Sequence, residues 1–139
     1  MKIFKTKNTT NKQYTLFLIF MLVACGGAMA WQLLIPEFGE QFTSWGICIG
    51  WQREIALWNV GIISAILLTL AKQNLAYMRI VSLQSTVLCW ALGINHLLSL
   101  IANPSPTYMI HILGIFEVML LGGVWGTILL IKTRSCSTA

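Results

Sequence analysis

Charged residues are scarce in this sequence. Only 9% of its 139 residues are charged, whereas a soluble domain carries about 25%, and 57% are hydrophobic. This composition excludes an ordinary soluble domain, and it excludes a disordered chain, which would need low hydrophobicity. With three prolines and no low-complexity tract, fibrous and collagen-like classes are excluded as well. The sequence therefore predicts an integral membrane protein with room for about four helices of roughly 20 residues.

Four apolar stretches predict an all-α fold, a four-transmembrane-helix bundle with short loops. None of the stretches alternates apolar and polar residues, and an open sheet could not satisfy its backbone groups in lipid. The predicted spans are about 14–35, 55–71, 77–101 and 108–131. We expect residues 1–139 to form a single membrane domain.

The few basic residues indicate the orientation of the chain. If the chain crosses four times, eight of the nine basic residues fall on one side: Lys2, Lys5, Lys7, Lys12, Lys72, Arg79, Lys132 and Arg134. Only Arg53 falls on the other side. The positive-inside rule then predicts a multi-pass protein of the bacterial inner membrane with cytoplasmic N- and C-termini. The net charge of +5 is thus a topology signal and gives no reason to expect nucleic acid as a partner.

The first span has an alternative interpretation as a processed leader. Its small residues before Trp31 are typical of a signal-peptide cleavage site, and those around Cys25 are typical of a lipoprotein site. The apolar run continues beyond both sites to Ile35, and Gly26 and Ala30 have the spacing of a helix-packing pair. We therefore expect the first helix to remain attached, whereas cleavage would leave three spans.

Paired cysteines are lacking. The four cysteines, Cys25, Cys48, Cys89 and Cys136, form no Cys-x-x-Cys motif, and only Cys48 falls in an outward loop. The spacing excludes a zinc site built of cysteines and a disulfide within the outward loops. A thiol-oxidising membrane enzyme, which would need paired outward cysteines, is also excluded.

Glu117 is the most informative single residue. It lies near the bilayer midplane, where a carboxylate costs roughly 2.5–3.5 kcal/mol to insert, so it is a candidate functional residue. It could relay protons or bind a cation. Alternatively, it is a structural carboxyl group that is hydrogen-bonded inside the bundle.

Other polar residues of the spans collect near the outer interface. His96, His111 and Asn59 are predicted at a similar depth, with Glu54 just above them. Together with Glu117 they form a candidate intramembrane polar cluster. Two histidines with a carboxylate could ligate a metal, but no ligand spacing supports it. Two histidines at one depth on facing helices could hold a heme, but two histidines near one depth are easily coincidental. We therefore predict no metal and no cofactor, and an interhelical hydrogen-bond cluster instead.

Small residues mark the predicted helix contacts. On the third helix, Gly93 shares a face with Ser82, Ser85, Thr86, Cys89 and His96. On the fourth helix, Gly122 and Gly126 form a Gly-xxx-Gly pair. Such positions let a neighbouring helix approach closely, so we expect all three glycines at helix interfaces.

Two short segments carry a family resemblance. Gly50-Trp51 with Glu54 opens the second helix, and Gly93 precedes His96 late in the third. These features resemble small four-helix bacterial membrane proteins of the loosely DoxX-like group. The resemblance implies the four-helix fold and the inner-membrane location, and it implies no activity.

No nucleophile–base pair, phosphate loop or cofactor motif is recognisable. We therefore expect a non-enzymatic accessory protein whose partners are the lipid bilayer and either a second copy or another membrane protein. The alternative from another class is a small proton- or cation-coupled transporter that uses Glu117. A redox protein holding quinone or heme between the two histidines is a third possibility.

Overall fold

The computed structural model describes residues 2–46 and 48–134, with side chains for residues 10–39, 41–46 and 48–133. Cys136 lies outside the described residues. The chain forms the following elements in order: α1 (Lys2–Leu34), α2 (Glu37–Phe42), α3 (Ile49–Lys72), α4 (Leu75–Ala102), α5 (Met109–Leu113), a π-helical segment π1 (Gly114–Val124) and α6 (Trp125–Arg134). No strand occurs among the residues described.

The predicted all-α fold is confirmed. Four helical stretches are long and apolar enough to cross a membrane: Thr10–Leu34, Ile49–Lys72, Leu75–Ala102 and Met109–Thr133. The second helix begins at Ile49, earlier than the predicted 55. Polar residues such as Gln52 and Arg53 form the first turns of this helix. An apolar stretch does not identify these turns, because they need not enter the hydrocarbon core.

Two helix pairs make up the bundle. α1 packs along α3, and α4 packs along the fourth span, which comprises α5, π1 and α6. α1 also contacts α4, so these two helices lie at the centre, whereas no extended contact joins α3 to the described part of the fourth span. The core includes Tyr14, Phe17 and Ile66, which are fully buried. Phe17 meets Trp125 edge to face, with ring centroids 5.3 Å apart.

The two ends of the bundle differ in how the chain turns. α3 ends at Gln73 in a left-handed conformation, and Asn74 caps α4 by accepting hydrogen bonds from the amides of Ala76 and Tyr77. Near this end, Tyr14 and Thr133 share a buried hydrogen bond of 2.5 Å between their hydroxyls. At the opposite end, residues 35–46 cross the bundle and include the short helix α2. We call this opposite end the histidine end, because His96 and His111 lie there.

The middle of the fourth span is π-helical from Gly114 to Val124. A π-helix forms i→i+5 hydrogen bonds, is rare, and is frequent at functional sites. The wider turn changes which residues share a face, so helical positions counted at 100° per residue do not apply here. Glu117 is the only ionisable residue in this segment.

Candidate functional site

His96 and His111 are in direct contact at the histidine end. Their Nδ1 atoms lie 3.1 Å apart, within hydrogen-bonding distance. His111 is fully buried, and His96 is half-buried. The sequence placed both rings at a similar depth, and the packing of α4 against the fourth span joins them. We call these two residues the histidine pair.

The segment after α2 covers the histidine pair. The Ser44 amide donates a 3.0 Å hydrogen bond to His111 Nε2. The Trp45 ring lies against both imidazoles, with centroid distances of 4.9 Å to His96 and 4.7 Å to His111. Its indole Nε1–H donates to Ser99 Oγ at 2.8 Å. The loop is thereby attached to both α4 and the fourth span.

These hydrogen bonds assign the tautomers of the pair. Because the Ser44 amide can only donate, His111 Nε2 must carry a lone pair, and the proton of a neutral ring then lies on Nδ1. His111 Nδ1–H consequently donates to His96 Nδ1, and the His96 proton lies on Nε2. Ser44 Oγ also lies 3.0 Å from His111 Nε2, so the amide and the hydroxyl of Ser44 together close one end of this chain of bonds and attach the loop.

Gly114 makes room for the histidine pair. A Cβ atom added at this glycine would overlap His96 Cδ2 and lie 2.8 Å from His96 Nε2. Any side chain here would therefore displace the imidazole, because real Cβ contacts are essentially never shorter than 3.0 Å. The absence of a side chain at position 114 is what lets His96 lie against the fourth span.

Glu117 does not join the histidine pair. Its side chain is half-buried, and it has no hydrogen-bond or salt-bridge partner among the described residues. Two buried cysteines, Cys25 of α1 and Cys89 of α4, lie in its neighbourhood. The carboxyl group thus lies near the centre of the bundle without the hydrogen bond that a purely structural role would provide.

Asn59 and Glu54 form no hydrogen bond or ion pair with the histidine pair among the described residues. Both residues belong to α3, which packs mainly on α1, contacts α4 less and makes no extended contact with the described fourth span. Asn59 is buried, and Glu54 is exposed in the first turns of the helix. The predicted cluster of five residues therefore contains one bonded pair, His96 and His111, and three separate residues.

The three predicted packing glycines lie between α4 and the fourth span. A Cβ atom at Gly93 would overlap Met119, and one at Gly122 would overlap Cys89 Sγ. A Cβ atom at Gly126 would overlap Thr86 Oγ1 and lie 2.9 Å from Phe17 Cζ. Each glycine thus permits a close approach of the two helices.

The histidine pair does not fit a heme iron between its rings. Metal–imidazole bonds of about 2 Å on opposite sides of an iron would set the nitrogens about 4 Å apart, farther than the observed 3.1 Å. The part of the chain that the structure describes contains no group of three or more His, Cys, Asp or Glu side chains that could hold a metal ion.

Sequence reasoning missed Ser44 and Trp45. Ser44 contributes its backbone amide, which no residue type signals, and its hydroxyl. Both Ser44 and Trp45 lie in a loop far from either histidine in the sequence. Gly114 carries no signal of its own in the sequence, because its contact with His96 depends on the packing of two helices.

Comparisons with known proteins do not extend these observations. No family model matches the chain, and neither the curated proteins nor the solved structures contain a significant match.

Proposed function

We propose that this protein is a non-enzymatic, multi-pass protein of the bacterial inner membrane with an accessory, partner-binding role, and that it binds a partner helix from either a second copy or another membrane protein. The basic residues support cytoplasmic termini, because eight of the nine would lie on one side. A reporter fused after Ala139 tests this topology, since it should be active only in the cytoplasm. The short segments that resemble DoxX-like proteins imply the same location.

Two exposed carboxamides on α4 carry the partner-binding proposal. Gln84 and Asn95 lie inside the span Leu75–Ala102, and both side chains point away from the bundle. Neither side chain has a hydrogen-bond partner among the described residues. Polar side chains in transmembrane helices hydrogen-bond across helix interfaces, and an unsatisfied one in hydrocarbon is unfavourable. A partner helix on this face would satisfy both groups.

A groove beside Gln84 provides space for such a helix. It lies between α3 and α4 and is lined by Leu57, Trp58, Gly61, Ile62, Ala65 and Gln84. Gly61 has open space where a side chain would project. Gly61 and Ala65 are four residues apart, the spacing that allows close helix packing in membranes.

A photoreactive phenylalanine analogue at position 84 tests partner binding. We expect irradiation of intact membranes to give protein adducts, because the residue would lie within a helix–helix contact. The matched control is the same analogue at Leu83, which is 53% exposed and lies about 100° around the helix. Adducts with lipid alone at position 84, or equal protein adducts at both positions, would contradict the proposal.

A second candidate function is proton- or cation-coupled transport through Glu117. It is favoured by one observation, the half-buried carboxyl group without a hydrogen-bond partner in a π-helical segment. Intramembrane carboxylates of this kind serve proton and ion pathways.

Glu117→Gln separates transport from an accessory role. The substitution keeps the size and hydrogen-bonding capacity of the side chain and removes its titration. In proteoliposomes carrying a pH gradient, a transporter should lose its proton flux in this variant while keeping its thermal stability. Flux that is equal in the wild type, the variant and protein-free vesicles would rule out this second function.

A further inference from the structure

One face of α4 carries a continuous heptad pattern. The residues of this face, which we call the α4 seam, recur at spacings of four, three, four and three: Gln84, Leu88, Ala91, Asn95 and Leu98. At 100° per residue they fall within about 80° of one another. This spacing is typical of a helix that packs along a parallel neighbour in a coiled coil.

The bundle uses little of the α4 seam. Four of its residues are exposed, and only Leu88, which is half-buried, packs against the core. The buried residues of α4, which include Ser82, Thr86 and Gly93, lie on the opposite side of the helix. The seam is therefore a second face of α4, which the described elements of the chain leave largely uncovered.

We infer that the α4 seam binds the α4 seam of a second copy of this chain; this inference rests on the partner-binding function proposed above. Two copies inserted in the same orientation are related by a twofold axis along the membrane normal, so their α4 helices run parallel. In a parallel pair at the axis, each seam residue lies opposite its own counterpart. Gln84 then meets Gln84, and Asn95 meets Asn95.

The chemistry of the two carboxamides favours a second copy over an unrelated helix. A carboxamide contains both a donor and an acceptor, so it is complementary to itself. Gln84 and Asn95 are separated by about 16 Å along the helix. An unrelated partner would have to present polar groups at both depths, whereas a second copy presents them in register. Ala91 lies between the two positions and lets the helices approach.

The groove between α3 and α4 fits the same arrangement. Gln84 lines this groove together with Gly61 and Ala65 of α3. A second α4 on the seam would lie beside these small residues, and twofold symmetry would repeat the contact on the other copy. The proposed interface thus contains α4 at its axis and α3 at its flank.

Disulfide trapping in membranes tests the inference. In a background with Cys48→Ser and Cys136→Ser, Ala91→Cys places a thiol at the proposed axis, and oxidation should give a covalent dimer. The matched control is Leu92→Cys, which is 43% exposed and about 100° around the helix. We expect at least a tenfold larger dimer fraction for Ala91→Cys. Equal fractions at the two positions would overturn the inference.

Two further measurements distinguish a failure of this inference from a failure of the proposed function. The double variant Gln84→Leu, Asn95→Leu should weaken self-association about tenfold, measured by energy transfer between labelled copies. The thermal stability of each copy should be retained. Unchanged self-association would overturn the inference. Adducts at position 84 should contain two copies of this 15.5 kDa chain. Adducts with a different protein would overturn the second-copy inference and leave the accessory role standing, whereas adducts with lipid alone would contradict both.

Discussion

Replacing Gly93 by leucine should strongly destabilise the bundle. A Cβ atom at this position would overlap Met119 Cβ and lie 2.8 Å from Met119 Cα. Because Cα belongs to the backbone, the clash cannot be relieved by a change of rotamer, and α4 must move away from π1. Overpacking of this kind costs about 1–3 kcal/mol or more in free energy of unfolding.

Thermal unfolding in detergent measures this effect, and Gly27→Leu is the matched control. Gly27 lies in α1, and nothing lies within 4 Å of the position where its Cβ atom would be. Leucine also has a higher helix propensity than glycine, so the control should be neutral or slightly stabilising. Comparable losses of Tm in the two variants would show that the close contact between α4 and π1 is not formed.

Replacing Gly114 by leucine should separate the histidine pair and release the loop that covers it. The new side chain would occupy the position of the His96 ring, so His96 would have to leave His111 Nδ1. His111 would then lose the ring contact that holds it beneath Ser44 and Trp45. Since a neutral hydrogen bond contributes about 1 kcal/mol, we expect the Ser44 amide to exchange its hydrogen roughly five- to tenfold faster.

Amide hydrogen exchange at Ser44 is the direct measurement, because this amide donates to His111 Nε2. Gly50→Leu is the control, since Gly50 also lies near the histidine end and has open space around it. Its Ser44 exchange should match that of the wild type. If Gly114→Leu left the exchange unchanged as well, the hydrogen bond between the loop and His111 would not be limiting for loop opening.

The depth of a residue along its helix predicted only part of the candidate site. His96 and His111 could be placed near one level because each position is counted from the end of an apolar run. Asn59 and Glu54 lie at comparable levels on α3, yet they do not meet the histidines. Depth along a helix follows from 1.5 Å per residue, whereas lateral neighbours depend on which helices pack together.

The amino-acid sequence by itself determined the number of spans, the all-α architecture and the small residues of the interfaces. The physical reason is that lipid leaves a backbone few ways to satisfy its polar groups, so length and hydropathy suffice to identify a spanning helix. Gly93, Gly122 and Gly126 could be assigned to helix contacts on the same grounds, because close approach requires a missing side chain.

Only the tertiary structure decided that α1 pairs with α3, that α4 pairs with the fourth span, and that Ser44 and Trp45 cover the histidine pair. These contacts join residues far apart in the sequence, and helices that are apolar on every side have several alternative neighbours of similar hydropathy. The π-helical geometry around Glu117 was likewise invisible in the sequence, because it depends on how π1 fits against α4. Shape complementarity between whole helices, which no local pattern encodes, selects one arrangement among these.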